Sequence, residues 1–104
     1  MIELETRHLE AVREILRRHV PDRAVWAFGS RVTAGALATS DLDLAIEGEE
    51  PIPLASLGAL REAFAESDLP FFVDVVDMAV ADEAFRQRII EKRVRICEPD
   101  VQPS

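Results

Sequence analysis

The sequence has little of what marks secreted, membrane-spanning or nucleic-acid-binding proteins. Its 104 residues include one cysteine, Cys97, so no internal disulfide can form, which agrees with a reducing compartment. No apolar run approaches the roughly 20 residues that span a bilayer. The acidic N-terminus lacks the charged and then apolar layout of a signal peptide. These absences predict a cytoplasmic protein without membrane contact.

Positive charge is also scarce. The chain has 12 lysine and arginine residues against 20 aspartate and glutamate residues, for a net charge of −8. Because affinity for nucleic acid comes largely from cations on phosphates, the chain is not expected to bind nucleic acid by itself. This charge suits either a basic protein partner or simple solubility. Hydrophobic residues make up 48%, enough for the core of one domain over residues 1–104.

Helical and strand patterns alternate along the chain. They predict a single α/β (α+β) domain with a mixed β-sheet and helices packed on one face. The predicted elements are an N-terminal helix over 3–19, a strand over 24–28, a short helix over 30–36, a strand over 41–46, a helix over 53–66, a strand over 71–76, a helix over 82–91 and a strand over 94–97. Residues 24–97 form the expected catalytic core, and the polar tail 98–104 is expected to be loose.

Two short motifs suggest chemistry on a nucleoside triphosphate. Gly29 and Ser30 follow an apolar strand, and backbone N–H groups at such a turn can bind phosphate. Asp41 and Asp43 begin the next strand, where side chains two residues apart point to the same face. Two adjacent carboxylates repel each other, and a cation offsets the repulsion. Hard oxygen ligands of this kind suit Mg²⁺.

A third carboxylate lies in the later apolar run over 69–77. Phe72 and Val76 share a face with Asp74 and suggest that it is buried, and a buried charge is rarely left unpaired. If this strand lies beside the Asp41 strand, Asp74 can join the same ions. Three carboxylates with two metal ions suffice for in-line displacement at phosphorus. Asp77 is interpreted as a turn residue that ends the strand.

These motifs together resemble those of the minimal nucleotidyltransferase family. Its members are small, stand-alone proteins of the polymerase-beta-type nucleotidyltransferase superfamily. The resemblance runs from about Val25 to Ile96 and includes Gly29-Ser30-Arg31, Ser40-Asp41-Leu42-Asp43-Leu44 and Asp74. It implies that Gly29, Ser30, Arg31 and Ser40 bind the nucleotide. It also implies that Asp41, Asp43 and Asp74 are the catalytic residues and hold two Mg²⁺ ions.

The resemblance implies a partner as well. Such proteins often form the antitoxin half of a toxin–antitoxin pair with a small helical HEPN-type ribonuclease, and some transfer AMP from ATP to their partner. We therefore expect Mg²⁺-dependent transfer to a hydroxyl of a HEPN-type toxin. Two alternatives stay open: a non-catalytic antitoxin that blocks its partner by binding, and a nucleotidyltransferase acting on RNA or a small molecule. Homo- and hetero-oligomers are both compatible with the sequence.

The loop after Arg31 departs from the family's pattern. Thr33 and Leu37 stand where members commonly carry basic residues, and Gly35 comes one place late. From this loop, Arg31 alone would balance the charge of a triphosphate.

Basic residues also concentrate near the end of the chain. Five of the 12 lie in one ten-residue segment: Arg86, Arg88, Lys92, Arg93 and Arg95. The segment fits either a contact to triphosphate, RNA or an acidic partner, or a solvated helix face paired with Glu83 and Glu91.

Overall fold

A computed structural model describes residues 2, 4–32 and 40–99 of the chain. The elements are α1 (Thr6–His19), β1 (Val25–Phe28), a 3₁₀ turn (Gly29–Arg31), β2 (Leu42–Ile46), α2 (Leu54–Glu66), β3 (Val73–Asp77), α3 (Glu83–Glu91) and β4 (Val94–Cys97). Their order is the predicted one. The predicted short helix beyond residue 32 and the tail from residue 100 onward lie outside the described residues. No helix in the described ranges is long and apolar enough to cross a bilayer.

The four strands form one mixed sheet in the order β3-β2-β1-β4. β1 pairs antiparallel with both β2 and β4, whereas β2 and β3 are parallel. A parallel pair needs a crossover, and α2 supplies it between β2 and β3. The predicted mixed sheet is confirmed.

Alternation along the strands places the main core between the sheet and the two long helices. Leu42 and Leu44 of β2 are fully buried, as are Val12 of α1 and Leu60 of α2. Because these even-numbered positions of β2 face the core, its odd-numbered positions face the other side of the sheet. That second side carries the carboxylates discussed below.

The third helix lies on this second side. Its Ile89 packs with Ala45 and Met78, and Phe85 lies against this small cluster. Asp82 caps the helix, since its Oδ1 accepts a hydrogen bond of 2.9 Å from the Phe85 N–H. Thus α1 and α2 lie on one face of the sheet as predicted, whereas α3 covers part of the other. The apolar stripe of a helix predicts that the helix packs against the sheet, but it does not predict which face of the sheet the helix covers.

Asp77 ends β3 as predicted and begins the turn that follows, since its carbonyl oxygen accepts a hydrogen bond of 3.2 Å from the Val80 N–H. It is also a buried structural residue. It is 6% exposed. Its Oδ2 accepts a 2.8 Å hydrogen bond from the Ile52 N–H, and its Oδ1 accepts one of 3.0 Å from the Ala79 N–H. Two backbone donors satisfy the buried carboxylate. Asp77 therefore anchors the segment before α2 and lies on the opposite face of β3 from Asp74.

Candidate metal and nucleotide site

The three predicted carboxylates lie where the neighbouring strands β2 and β3 begin. Asp43 of β2 is directly opposite Asp74 of β3 in the parallel ladder, so both side chains leave the same face. Asp41 immediately precedes β2. Asp43 is half-buried, whereas Asp41 and Asp74 are exposed. The three residues form an acidic cluster in which one carboxylate is half-buried and two are exposed.

The electrostatics of this cluster favour a cation. Burial raises the pKa of Asp43 above its ordinary value of 3.8, and the nearby charges of Asp74 and Asp41 raise it further. Among the described residues, no three acidic, histidine or cysteine side chains are close enough to hold an ion as they stand. Repulsion between the carboxylates favours their separation when no cation is bound. The donor set consists of hard carboxylate oxygens, which fit Mg²⁺.

The raised pKa of Asp43 predicts a pH-dependent stability. In the folded protein Asp43 keeps its proton at a pH where the unfolded chain has lost it. The free energy of unfolding of the metal-free protein should therefore decrease as pH rises from 3.8 through the higher pKa of the folded state. Asp43→Asn should remove this contribution, so its stability relative to wild type should increase with pH. Urea unfolding of both proteins across this window measures the difference.

An exposed acid serves as the control for this measurement. Asp22 lies in the turn after α1 and is exposed. Asp22→Asn removes the same charge far from Asp43 and should give a pH profile parallel to that of wild type. Parallel profiles for Asp43→Asn as well would show that the cluster does not destabilise the metal-free fold.

The Gly29 turn lies against the same carboxylates. Phe28, the last residue of β1, is opposite Asp43 in the antiparallel ladder. Gly29 follows with a φ of +79°, a conformation that favours glycine, and a Cβ atom there would collide with Oδ2 of Asp43. Ser30 is exposed beside it. The backbone of a turn suited to phosphate is thus in direct contact with a candidate metal ligand.

Arg31 does not face the solvent. Its side chain is 4% exposed, and its Nε and Nη2 donate hydrogen bonds of 3.0 and 2.8 Å to the carbonyl oxygen of Ser40. Its guanidinium carbon lies 4.4 Å from the centre of the Phe71 ring. The geometry thus links Arg31 and Ser40 to each other. The nucleotide-binding roles of Gly29, Ser30, Arg31 and Ser40 stay predictions.

The expectation that Asp74 is buried is wrong. Asp74 is exposed, and Phe72 is 81% exposed. The apolar run suggested a strand from residue 71, but β3 begins at Val73 and lies at the edge of the sheet. A cavity of about 510 Å³ adjoins Phe72, between the end of α2 and the segment before β3. None of the three carboxylates lines this cavity, and it is the exposure of Asp74 itself that leaves the site open on that side.

Part of the C-terminal basic segment packs on a tryptophan. The guanidinium carbons of Arg93 and Arg95 lie 3.7 and 4.0 Å from the centre of the Trp26 ring. Arg86 lies 3.9 Å from Glu83 in an exposed ion pair. The two stacked arginines make cation–π contacts within the protein. Neither a free basic patch nor a plain solvated helix face describes them.

Comparison with known proteins decides the family. The profile of the family "Polymerase beta, Nucleotidyltransferase" matches residues 10–102. The chain belongs to this nucleotidyltransferase family. Such nucleotidyltransferases typically use a divalent metal ion. A relative from Haemophilus influenzae, named "Probable protein adenylyltransferase MntA", is 46% identical over 99 residues, which cover 95% of this chain and 87% of the relative.

Solved nucleotidyltransferase structures share the fold. One, described as a toxin–antitoxin with AMP-PNP, matches with a TM-score of 0.70 and 21% identity over 86% of this chain and 72% of its own. Another contains a tri-AMPylated Shewanella oneidensis HEPN toxin in complex with an MNT antitoxin; it matches with a TM-score of 0.69 and 20% identity over 90% of this chain and 72% of its own. The predicted membership in the minimal nucleotidyltransferase family is confirmed.

Proposed function

We propose that this chain is a Mg²⁺-dependent protein adenylyltransferase that transfers AMP from ATP to a side-chain hydroxyl of a HEPN-type toxin, and so acts as its antitoxin. One observation carries the proposal: Asp43 is opposite Asp74 on one neighbouring strand and against the Gly29 turn on the other. The relative that is 46% identical supports the reaction, since it is named a protein adenylyltransferase. The solved complexes with HEPN toxins support the class of partner.

The residues of the turn and the cluster divide the binding of ATP between them. Gly29 and Ser30 bind the β- and γ-phosphates through backbone N–H groups and the Ser30 hydroxyl. Asp41 and Asp43 would hold the Mg²⁺ that accompanies the triphosphate, and Asp74 would join them in holding a second ion. When bound, Mg²⁺ neutralises charge on the phosphates and lowers the pKa of the acceptor hydroxyl.

Transfer of AMP follows as an in-line displacement. The acceptor oxygen forms a bond to the α-phosphorus while the bond from that phosphorus to the bridging oxygen of the β-phosphate breaks. Pyrophosphate leaves with the electron pair of the broken bond. The proton of the acceptor passes to Asp74, which is exposed on the open side of the site. Because such chemistry needs mainly positioning and charge neutralisation, few residues suffice.

The open side is suited to a protein that brings its own acceptor. Phe72 is 81% exposed and lies two residues before Asp74. Aromatic residues, phenylalanine among them, are enriched at protein–protein interfaces. The net charge of −8 favours a basic partner. A HEPN-type protein that covers Phe72 would place its hydroxyl near Asp74.

Mass spectrometry of the partner tests the proposed reaction. A HEPN-type protein encoded by a neighbouring gene, co-expressed with this chain, should gain the mass of one or more adenylates on hydroxyl side chains. Asp41→Asn with Asp43→Asn should abolish the gain, because the triphosphate loses its metal ligands. Asp22→Asn with Glu49→Gln, which removes equal charge from two exposed positions away from Phe72, should leave it intact. An unmodified partner with the wild-type chain would contradict the proposal.

The binding-only alternative is favoured by one observation. The buried guanidinium of Arg31 is bonded to Ser40, although Arg31 is the cation expected to face the triphosphate. If the variant with Asp41→Asn and Asp43→Asn still forms the complex and still neutralises the toxin, neutralisation results from binding alone.

A further inference from the structure

Arg31 connects three separate segments of the candidate site. It directly follows Ser30, the exposed residue of the glycine turn. Its Nε and Nη2 bond to the carbonyl oxygen of Ser40, the residue before Asp41. Its guanidinium stacks on Phe71, three residues before Asp74. The Arg31 side chain thus links the Gly29–Ser30 turn with the segments that lead into β2 and β3, where the three carboxylates lie.

The surrounding contacts hold this junction in place. The other side of the junction reaches α1, because the His8 ring packs edge-on against Phe71 with ring centres 5.7 Å apart. The N–H of Leu42 donates a hydrogen bond of 2.9 Å to the carbonyl oxygen of Phe72, which ties the starts of β2 and β3 directly. Arg31 is 4% exposed, and its two bonds to Ser40 are partly buried. Charge-assisted bonds of this kind are strong and directional.

We propose that Arg31 is a positioning residue, which aligns Asp41, Asp43 and Asp74 with the Gly29–Ser30 turn and thereby sets the affinity of the cluster for a divalent cation. It acts through Ser40 and Phe71 and does not touch the nucleotide. This inference rests on the proposed function, since it takes the cluster as a metal site. It assigns to Arg31 a role different from the triphosphate contact expected from the family motif.

The direction in which the Mg²⁺ affinity changes distinguishes a positioning role of Arg31 from a purely electrostatic one. Arg31→Gln removes a positive charge from a side chain that is bonded to Ser40, the residue before Asp41, so Coulomb attraction alone predicts equal or tighter binding of Mg²⁺. Loss of alignment predicts weaker binding instead, by about tenfold for two charge-assisted bonds. Calorimetric titration of the nucleotide-free chain with Mg²⁺ alone measures this affinity without any catalytic readout. Arg31→Lys keeps the charge but not the two-pronged geometry, so it should also weaken binding, by about threefold or more.

Arg13 offers a matched control. Its Nε donates a hydrogen bond of 2.8 Å to the carbonyl oxygen of Ile96 in β4, away from the carboxylates. Arg13→Gln also removes a bond from arginine to a backbone carbonyl, so it should lower the melting temperature and leave Mg²⁺ affinity unchanged. Circular dichroism verifies the fold of each variant. If Arg31→Gln does not fold, the Mg²⁺ affinity of Arg31→Lys tests the positioning role.

The outcomes separate this inference from the proposed function. Weaker Mg²⁺ binding by the Arg31 variants, with unchanged binding by Arg13→Gln, supports positioning. Equal or tighter Mg²⁺ binding by the Arg31 variants, with weaker ATP binding at saturating Mg²⁺, overturns it and restores a direct triphosphate contact. Absence of Mg²⁺ binding by the wild-type chain, with and without ATP, overturns the proposed metal site and this inference together.

Discussion

Replacing both Asp41 and Asp43 by asparagine is expected to remove Mg²⁺-dependent binding of ATP and to slow AMP transfer by about a thousandfold. Metal ions contribute several kcal/mol to phosphoryl transfer, and about 4 kcal/mol corresponds to about a thousandfold in rate. Calorimetry with ATP, in Mg²⁺ and in EDTA, measures the coupling. Wild-type affinity should rise sharply with Mg²⁺, whereas the variant should show one weak affinity in both.

The same double substitution should not unfold the protein. Asp41 is exposed and Asp43 half-buried. Burial raises the pKa of Asp43, and repulsion by the charges of Asp74 and Asp41 raises it further. Because asparagine removes this repulsion, the melting temperature of the metal-free variant at neutral pH should equal or exceed that of wild type. Mg²⁺ should raise the melting temperature of wild type alone, since a ligand stabilises only the form that it binds. Equal ATP affinity of wild type in Mg²⁺ and EDTA would contradict a metal-bridged site.

Gly29→Ala is expected to damage both the fold and the site. Gly29 has a φ of +79°, and its added Cβ would collide with Oδ2 of Asp43. The backbone conformation alone costs about 1–2 kcal/mol for a residue with a side chain. The collision also forces the Asp43 carboxylate away from the Gly29 turn and so displaces a candidate metal ligand. Denaturant unfolding should show the loss of stability, and ATP titration well below the melting temperature should show a loss of Mg²⁺-dependent affinity.

Gly58 provides the matched glycine for this test. It lies within α2, and a Cβ atom there meets nothing within 4 Å. Gly58→Ala should stabilise the protein by about 0.5–1 kcal/mol, because alanine restricts the unfolded chain and favours helix. It should leave ATP affinity unchanged. A Gly29→Ala variant with wild-type ATP affinity would show that this turn does not bind the phosphates.

The sequence predicted the elements well because each depends on a local pattern. Alternation in β2 separated Leu42 and Leu44 from Asp41 and Asp43, and the structure separates the same residues. The helix over 82–91 was indicated by Asp82, which indeed caps α3. Such features depend on residues a few positions apart, so they can be read without the tertiary structure.

The sequence does not predict contacts between residues that lie far apart along the chain. Asp77 ends its strand at a turn as predicted, but its bond to Ile52, 25 positions earlier, has no local signal. The packing of Arg31 on Phe71 has no local signal either. Phe72 belongs to an apolar run that indicates burial, yet it precedes an edge strand and is exposed. No local pattern distinguishes these cases, because tertiary packing decides each of them.

The pairing of β2 with β3 has a consequence for how this site can change over evolutionary time. Leu44 and Val75 are paired and buried on one face, and Asp43 and Asp74 are paired on the other. A slip of β3 by one residue would bury Asp74 and expose Val75, and a slip of β2 would do the same to Asp43 and Leu44, so the fold itself disfavours a misaligned site. The pairing of Asp43 with Asp74 thus follows from core packing. Point substitutions can vary the open face, but a one-residue insertion or deletion within β2 or β3 cannot be tolerated.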